Sequence, residues 1–148
     1  VLSVLAPVAG ATVGLEEVPD PVFAQGMVGP GTAIEPRHEA QEAVAPIAGK
    51  VVKLHHHAFV VQGENGRGVL VHLGIDTVKL DGAGFESLVA EGDEVEAGQP
   101  LIRWNPAEVV RAGLSPIVPV VALDAGGDVV SRTGTGEVER GGRLFQWT

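Results

Sequence analysis

Residues 69–80 read VLVHLGIDTVKL, and the fold turns on how that stretch is read. As a β-strand its residues sort into two parity sets, because successive side chains point to opposite faces. Val69, Val71, Leu73 and Ile75 form one set, uniformly apolar, and belong to a core. Leu70, His72, Gly74 and Asp76 form the other. Strand formation does not call for an imidazole, a bare backbone and a carboxylate on one face. His72 is therefore either a core histidine bonded to a neighbouring carbonyl or a functional group. Its surroundings decide between them.

Residues 55–62, HHHAFVVQ, are a second strand candidate. Gly63-Glu64-Asn65-Gly66 joins the two strands and is a hairpin signal. With Asn65-Gly66 as a two-residue turn, His72 lies opposite Phe59 and His57 is its diagonal neighbour. With a four-residue loop, His57 lies directly opposite His72. Either register places the two imidazoles on one face, about 4.5–8 Å apart at their β-carbons. A three- or five-residue loop would place them on opposite faces. Two facing histidines beside a glycine make a small pocket for an anion, a proton or a metal.

The chain has 148 residues, enough for one domain spanning residues 1–148 with a sizeable core. With 21 Gly and 10 Pro, turns are frequent and long helices are not expected. Aromatics are 4%, so Val, Leu, Ile and Ala must fill the core. A formal charge of −9 argues against nucleic acid and anionic membrane surfaces, and suits a partner with a basic face. There is no cysteine, hence no disulfide, thiolate zinc site or cysteine nucleophile. No stretch approaches the ~18 apolar residues of a membrane span. Residues 1–6 lack the basic start of a signal peptide. Direct membrane insertion is not expected, and a cytoplasmic setting is.

The chain echoes itself twice. Ala6-Pro7-Val8-Ala9-Gly10 returns as Ala45-Pro46-Ile47-Ala48-Gly49, 39 residues on. Val95-Glu96-Ala97-Gly98, followed by Leu101 and Trp104, returns 43 residues on as Val138-Glu139-Arg140-Gly141, followed by Leu144 and Trp147. Two echoes imply a duplicated β-unit rather than a solenoid. Short strands closely spaced by glycine turns imply a closed or sandwiched β-fold. Residues 106–112 are the one expected helix, with Asn105 as N-cap and Pro106 in the first turn. Pro119 suggests an edge position for the apolar strand over residues 116–123. Pro19 and Pro21 hold Asp20 extended in a rigid connection. The apolar residues 22–29 that follow read as a turn-like segment over the sheet or as an exposed rim.

Four segments carry a resemblance to a known family. They are Val18-Pro19-Asp20-Pro21-Val22-Phe23-Ala24, Gly29-Pro30-Gly31-Thr32-Ala33-Ile34, His57-Ala58-Phe59, and above all Val71-His72-Leu73-Gly74-Ile75-Asp76-Thr77-Val78. In this order they resemble the glucose-type enzyme IIA domain of the bacterial phosphoenolpyruvate-dependent sugar phosphotransferase system. The resemblance runs nearly end to end. It implies an all-β antiparallel sandwich or barrel built by duplication, with at most one or two short helices. It implies that His72 is the phosphoryl acceptor and His57 its partner, with Asp20 and Asp76 beside the pair; His55 and Gly74, near it in sequence, are further supporting candidates. Phe23, Val28, Leu70 and Leu73 would form an apolar rim meeting the partners. Those partners would be the histidine carrier HPr, a IIB domain of a membrane IIBC complex, and possible regulatory targets of the unphosphorylated form. His55 stands where many members carry a hydroxyl residue. No cofactor is implied beyond transient phosphohistidine, and any zinc at His57 and His72 would be adventitious or shared with a partner. Without cysteine or membrane spans, no fused IIB or IIC domain is expected.

The residues suit that chemistry independently. A transferable phosphoryl group needs a nucleophile that is neutral near pH 7, and unperturbed imidazole has a pKa of about 6.5. One rival is a zinc-dependent peptidase-like hydrolase of related fold, suggested by His55-x-His57 and His72-x-x-x-Asp76. In a continuous strand positions 72 and 76 lie about 13 Å apart at ~3.3 Å per residue, so they share a metal only if Gly74 breaks the strand. The other rival is a biotinyl or lipoyl carrier, but Lys50, Lys53 and Lys79 lack the hairpin setting that it needs.

Overall fold

The computed structural model describes residues 2–132 and 136–148, the side chain of Asp128 excepted. Its first half contains β1 (Leu2–Leu5), β2 (Gly10–Val13), α1 (Pro21–Ala24), β3 (Gly31–Pro36), β4 (Gln41–Val44), β5 (Gly49–Leu54), β6 (Ala58–Gln62) and β7 (Gly68–His72). Its second half contains β8 (Phe85–Ser87), β9 (Glu94–Val95), β10 (Pro100–Trp104), α2 (Pro106–Arg111), β11 (Val118–Ala122), β12 (Val130–Arg132), β13 (Glu137–Val138) and β14 (Arg143–Trp147). Eight strands form one sheet in the order β13-β2-β3-β11-β7-β6-β5-β9, and two three-stranded sheets run β1-β14-β12 and β4-β10-β8. Among the described residues every strand pairing is antiparallel, as an all-β sandwich requires.

The two sequence echoes are halves of one architecture. In β2, Gly10 pairs with Val138 of β13; in β5, Gly49 pairs with Val95 of β9. In β1, Val4 pairs with Phe145 of β14; in β4, Ala43 pairs with Ile102 of β10. Gly10 and Gly49, like Val4 and Ala43, stand 39 residues apart, and Val95 and Val138, like Ile102 and Phe145, stand 43 apart, the offsets of the echoes. Each early copy therefore pairs with a late copy in the same register. The main core fills the space between the large sheet and the two small ones. Val4, Ile102, Leu144 and Phe145 meet Phe59, Val61, Val69 and Val71 there.

The other face of the large sheet carries a second, smaller core of Leu15, Val18, Phe23, Ala33, Ile75, Ile117 and Val121. A 3-10 turn at Leu15–Glu17 and the single turn of α1 cover it. Asp20 is extended, as its flanking prolines require, but it also caps α1: its Oδ1 accepts from the Val22 N–H at 2.9 Å. α2 forms as expected, with the Asn105 side chain accepting from Ala107 N–H.

Pro119 corrects an expectation. β11 is a central strand between β3 and β7, and all five of its residues are buried. Val118 and Val120 face the main core while Val121 faces the smaller one, so the run is apolar without alternation. Pro119 is tolerated because the β7 pairing begins only at Val120, opposite Val71. The next residue of β7 is His72, where that strand ends.

Candidate functional site

The site lies at the open end of the β6–β7 hairpin. The loop is five residues long, pairing Gln62 with Gly68 and Ala58 with His72. By strand alternation alone this register would put His57 and His72 on opposite faces. It does not, because β6 starts only at Ala58 and residues 55–57 turn out of the sheet. The Leu73 N–H donates to the His57 carbonyl at 2.7 Å and the His55 N–H to the Ala58 carbonyl at 2.8 Å. The turn brings the His57 ring edge-on to His72, with centroids 4.9 Å apart and planes at 74°. The facing pair is thus as expected, and its cause is a turn instead of a register.

Residues 69–80 are likewise not one strand. β7 stops at His72, and Gly74 turns the chain with φ +81°. A β-carbon on Gly74 would lie 2.6 Å from Thr77 Cγ2 and 3.0 Å from the Ser115 carbonyl oxygen. Three bonds hold the turn: Thr77 Oγ1 donates to the Leu73 carbonyl, the Ile75 N–H to the Ser115 carbonyl, and His72 Nδ1–H to the Gly74 carbonyl at 2.5 Å. The last bond fixes the tautomer of His72 and leaves Nε2 with its lone pair free. The Phe23 ring packs against the same imidazole, 5.3 Å away between centroids. Beyond His57 the His55 ring is stacked at 5.9 Å and 26°.

Residues 2–126 match the family model described as "phosphoenolpyruvate-dependent sugar phosphotransferase system, EIIA 1". The chain belongs to this family. It is a glucose-type EIIA domain, a phosphoryl carrier of the sugar phosphotransferase system. It is 45% identical over 122 residues to the PTS system glucose-specific EIIA component of Staphylococcus aureus (strain COL), covering 81% of this chain and 72% of that protein. It is 41% identical over 144 residues to the glucoside-specific EIICBA component of Staphylococcus carnosus (strain TM300), covering 96% of this chain and 20% of that longer protein. Glucose permease IIA from Mycoplasma capricolum superposes with a TM-score of 0.90 at 38% identity, covering 97% of this chain and 94% of that one.

Electrostatics in the EIIA site favour neutral rings. The His57 pKa is pushed down from 6.5 to about 4, first by burial and then by His72, His55 and His56. Burial also pushes His72 down, while the Gly74 carbonyl and the carboxylates of Asp20 and Asp76 push it back up. Asp76 itself sits in the left-handed region at φ 61°, just past the Gly74 turn. A pH effect follows from His57. The unfolded chain takes up this proton near pH 6.5 and the folded chain only near 4, so stability is intact above 6.5 and declines as pH falls toward 4. In His57→Gln that share of the decline disappears. Urea midpoints at about pH 7.5 and pH 5 should lie closer together in the variant than in the parent, and an equal gap would contradict the assignment.

The expected apolar rim is partly corrected. Leu73 is fully buried in the main core and cannot meet a partner. Phe23 is also buried, between the smaller core and His72. Leu70 and Val28 are half-buried against that core. The large exposed apolar side chains among the described residues are Val22, Met27, Val78 and Val110. Val22 flanks Phe23 on α1, and Met27 lies on the turn after it. Val78 lies in the Thr77–Leu80 turn and lines a shallow 300 Å³ cavity with His55, His56 and His57. Val110 follows Val109, whose Cγ1 approaches Gly74. A run of apolar residues after Asp20-Pro21 signalled the first two; nothing in the local pattern singled out Val78 or Val110.

Gly74 does break the strand, the condition for His72 and Asp76 to share a metal. Even so, among the described residues no three His, Cys, Asp or Glu side chains come together to hold one. The hydrolase alternative finds no ligand set. No described helix is long and apolar enough to cross a membrane.

Proposed function

We propose that His72 is the phosphoryl acceptor, that Nε2 is its reacting atom, and that the group arrives from phospho-HPr and leaves to the cysteine of a sugar-specific IIB domain. The bond from Nδ1–H to the Gly74 carbonyl carries this reading, since it leaves Nε2 as the one nucleophilic nitrogen. In receipt, the Nε2 lone pair attacks phosphorus and the donor P–N bond breaks, its electron pair returning to the donor imidazole. The Nδ1 proton stays in its bond to Gly74 throughout. The phosphorylated ring then carries positive charge. The Gly74 carbonyl, Asp20 and Asp76 face that charge and favour it, which gives the two carboxylates a task beside an incoming anion. In release, the thiolate attacks phosphorus, the Nε2–P bond breaks, and the neutral tautomer returns.

His57 stands edge-on where a ring N–H can donate to a phosphoryl oxygen as charge shifts. Residues 1–148 serve as one carrier domain, with Val22, Met27, Val78 and Val110 as the apolar ground on which HPr, IIB and any regulatory target dock. The net charge of −9 steers a basic-rimmed donor.

His57→Gln should slow onward transfer to IIB more than receipt from HPr. A basic donor brings its own positive groups and covers for the lost ring; a thiolate acceptor adds negative charge instead. Glutamine keeps an amide N–H but not the ring that holds it in place, and loss of one preorganised donor costs ~10²–10³ in rate. Single-turnover transfer measured in each direction checks this. Equal slowing removes the directional claim, and no slowing makes His57 a structural neighbour only.

A further inference from the structure

Three consecutive histidines follow β5, and each goes to a different place. His56 lays its ring against Gly82, where an added β-carbon would meet ring atoms at 2.9 Å. His57 meets His72 edge-on, and His55 stacks on His57. The two rings of the reactive pair are held by different means. His72 has its bond to the Gly74 carbonyl and its packing on Phe23. The His57 ring makes no hydrogen bond among the described residues, and its aromatic neighbours are the rings of His55 and His72. His55 is exposed, so it fills no core. Its backbone N–H is bonded to the Ala58 carbonyl across the turn, which fixes the ring's point of attachment beside His57.

We propose that His55 is a positioning residue: its ring, stacked on His57, holds His57 in the orientation that meets a phosphoryl group on His72. It does by contact what a hydrogen bond does for His72. This inference rests on the role assigned to His57 in transfer. It concerns flat contact area and not charge, so any aromatic ring that stacks should serve.

The test is single-turnover transfer to IIB by the intact protein with His55→Ala, His55→Phe and His57→Gln side by side, each with its melting temperature. His55→Ala should slow transfer by about two- to tenfold, the range for losing one stacked aromatic pair, with melting lowered by no more than a few degrees. His55→Phe should recover most of that loss. Rescue by phenylalanine separates stacking from a general effect on the turn. Parental rates in His55→Ala with a slow His57→Gln overturn the inference and leave the His57 reading standing. Equal slowing in His55→Ala and His55→Phe overturns it too, since the imidazole itself and not its stacking would then matter. A parental rate in His57→Gln sinks the reading of His57 and the inference with it.

Discussion

His72→Gln should accept no phosphoryl group from phospho-HPr while melting close to the parent protein. The side chain is half-buried at the end of β7, so glutamine keeps most of its bulk and its polarity without opening a core cavity. What it lacks is a nitrogen lone pair. An amide nitrogen is not a nucleophile, and no cysteine stands in reserve. His57 cannot substitute, because its neutral ring lacks the carbonyl bond that fixes a tautomer and the carboxylates that favour a charged product on His72. Acid-labile phosphate after incubation with phosphoenolpyruvate, enzyme I and HPr is the readout. The expected incorporation is at background. Incorporation at the parental level would move the acceptor elsewhere.

Leu73→Asp should collapse the fold and not merely block docking. Leu73 is the residue after His72, yet its side chain is fully buried in the main core. Truncating a leucine there costs about 2–5 kcal/mol, and an unpaired buried carboxylate adds desolvation to the loss. Native domains are stable by about 5–15 kcal/mol in total, so little or no folded protein should remain at 37 °C. Val78→Asp is the contrast. Val78 is 65% exposed, and substitutions at such positions shift stability by about 0.5 kcal/mol or less. It should melt like the parent and transfer more slowly, because the charge falls on the proposed docking ground. Normal melting of Leu73→Asp would show that the strand end opens in solution.

These two variants mark how far the sequence could be read. The duplication was legible to the residue, and strand pairing preserves its offsets: Gly10 with Val138 and Gly49 with Val95 are equivalent pairs, though which copies pair came only from the fold. The Asn105-Pro106 cap was legible as local chemistry. Asp20-Pro21 carried the same cap signal, but the preceding Pro19 made it read as extended connection; both hold at once. The parity argument held from Val69 through Leu73, which shares the main core with Val69 and Val71, and failed at Ile75, since alternation presumes a continuing strand. Gly74 ends it, and the bonds that set the new direction come from Thr77 and the distant Ser115. Leu73 stays in the main core with Val69 and Val71, and Ile75 crosses to the smaller one. The histidine pair was foreseen through a register that does not occur. The turn at residues 55–57 restores the pairing, and its carbonyl bonds are long-range facts that no local pattern encodes. Pro119 failed as an edge marker for the same reason: whether a missing N–H matters depends on where the neighbouring strand stops.

The central claim is that the Gly74 carbonyl selects the reacting nitrogen of His72. Nitrogen-15 NMR of the phosphorylated protein, read through coupling to phosphorus, measures this directly. The account predicts phosphorus on Nε2 of His72, with the Nδ1 proton retained and protected from exchange; phosphorus on Nδ1, or on any other side chain, would contradict it.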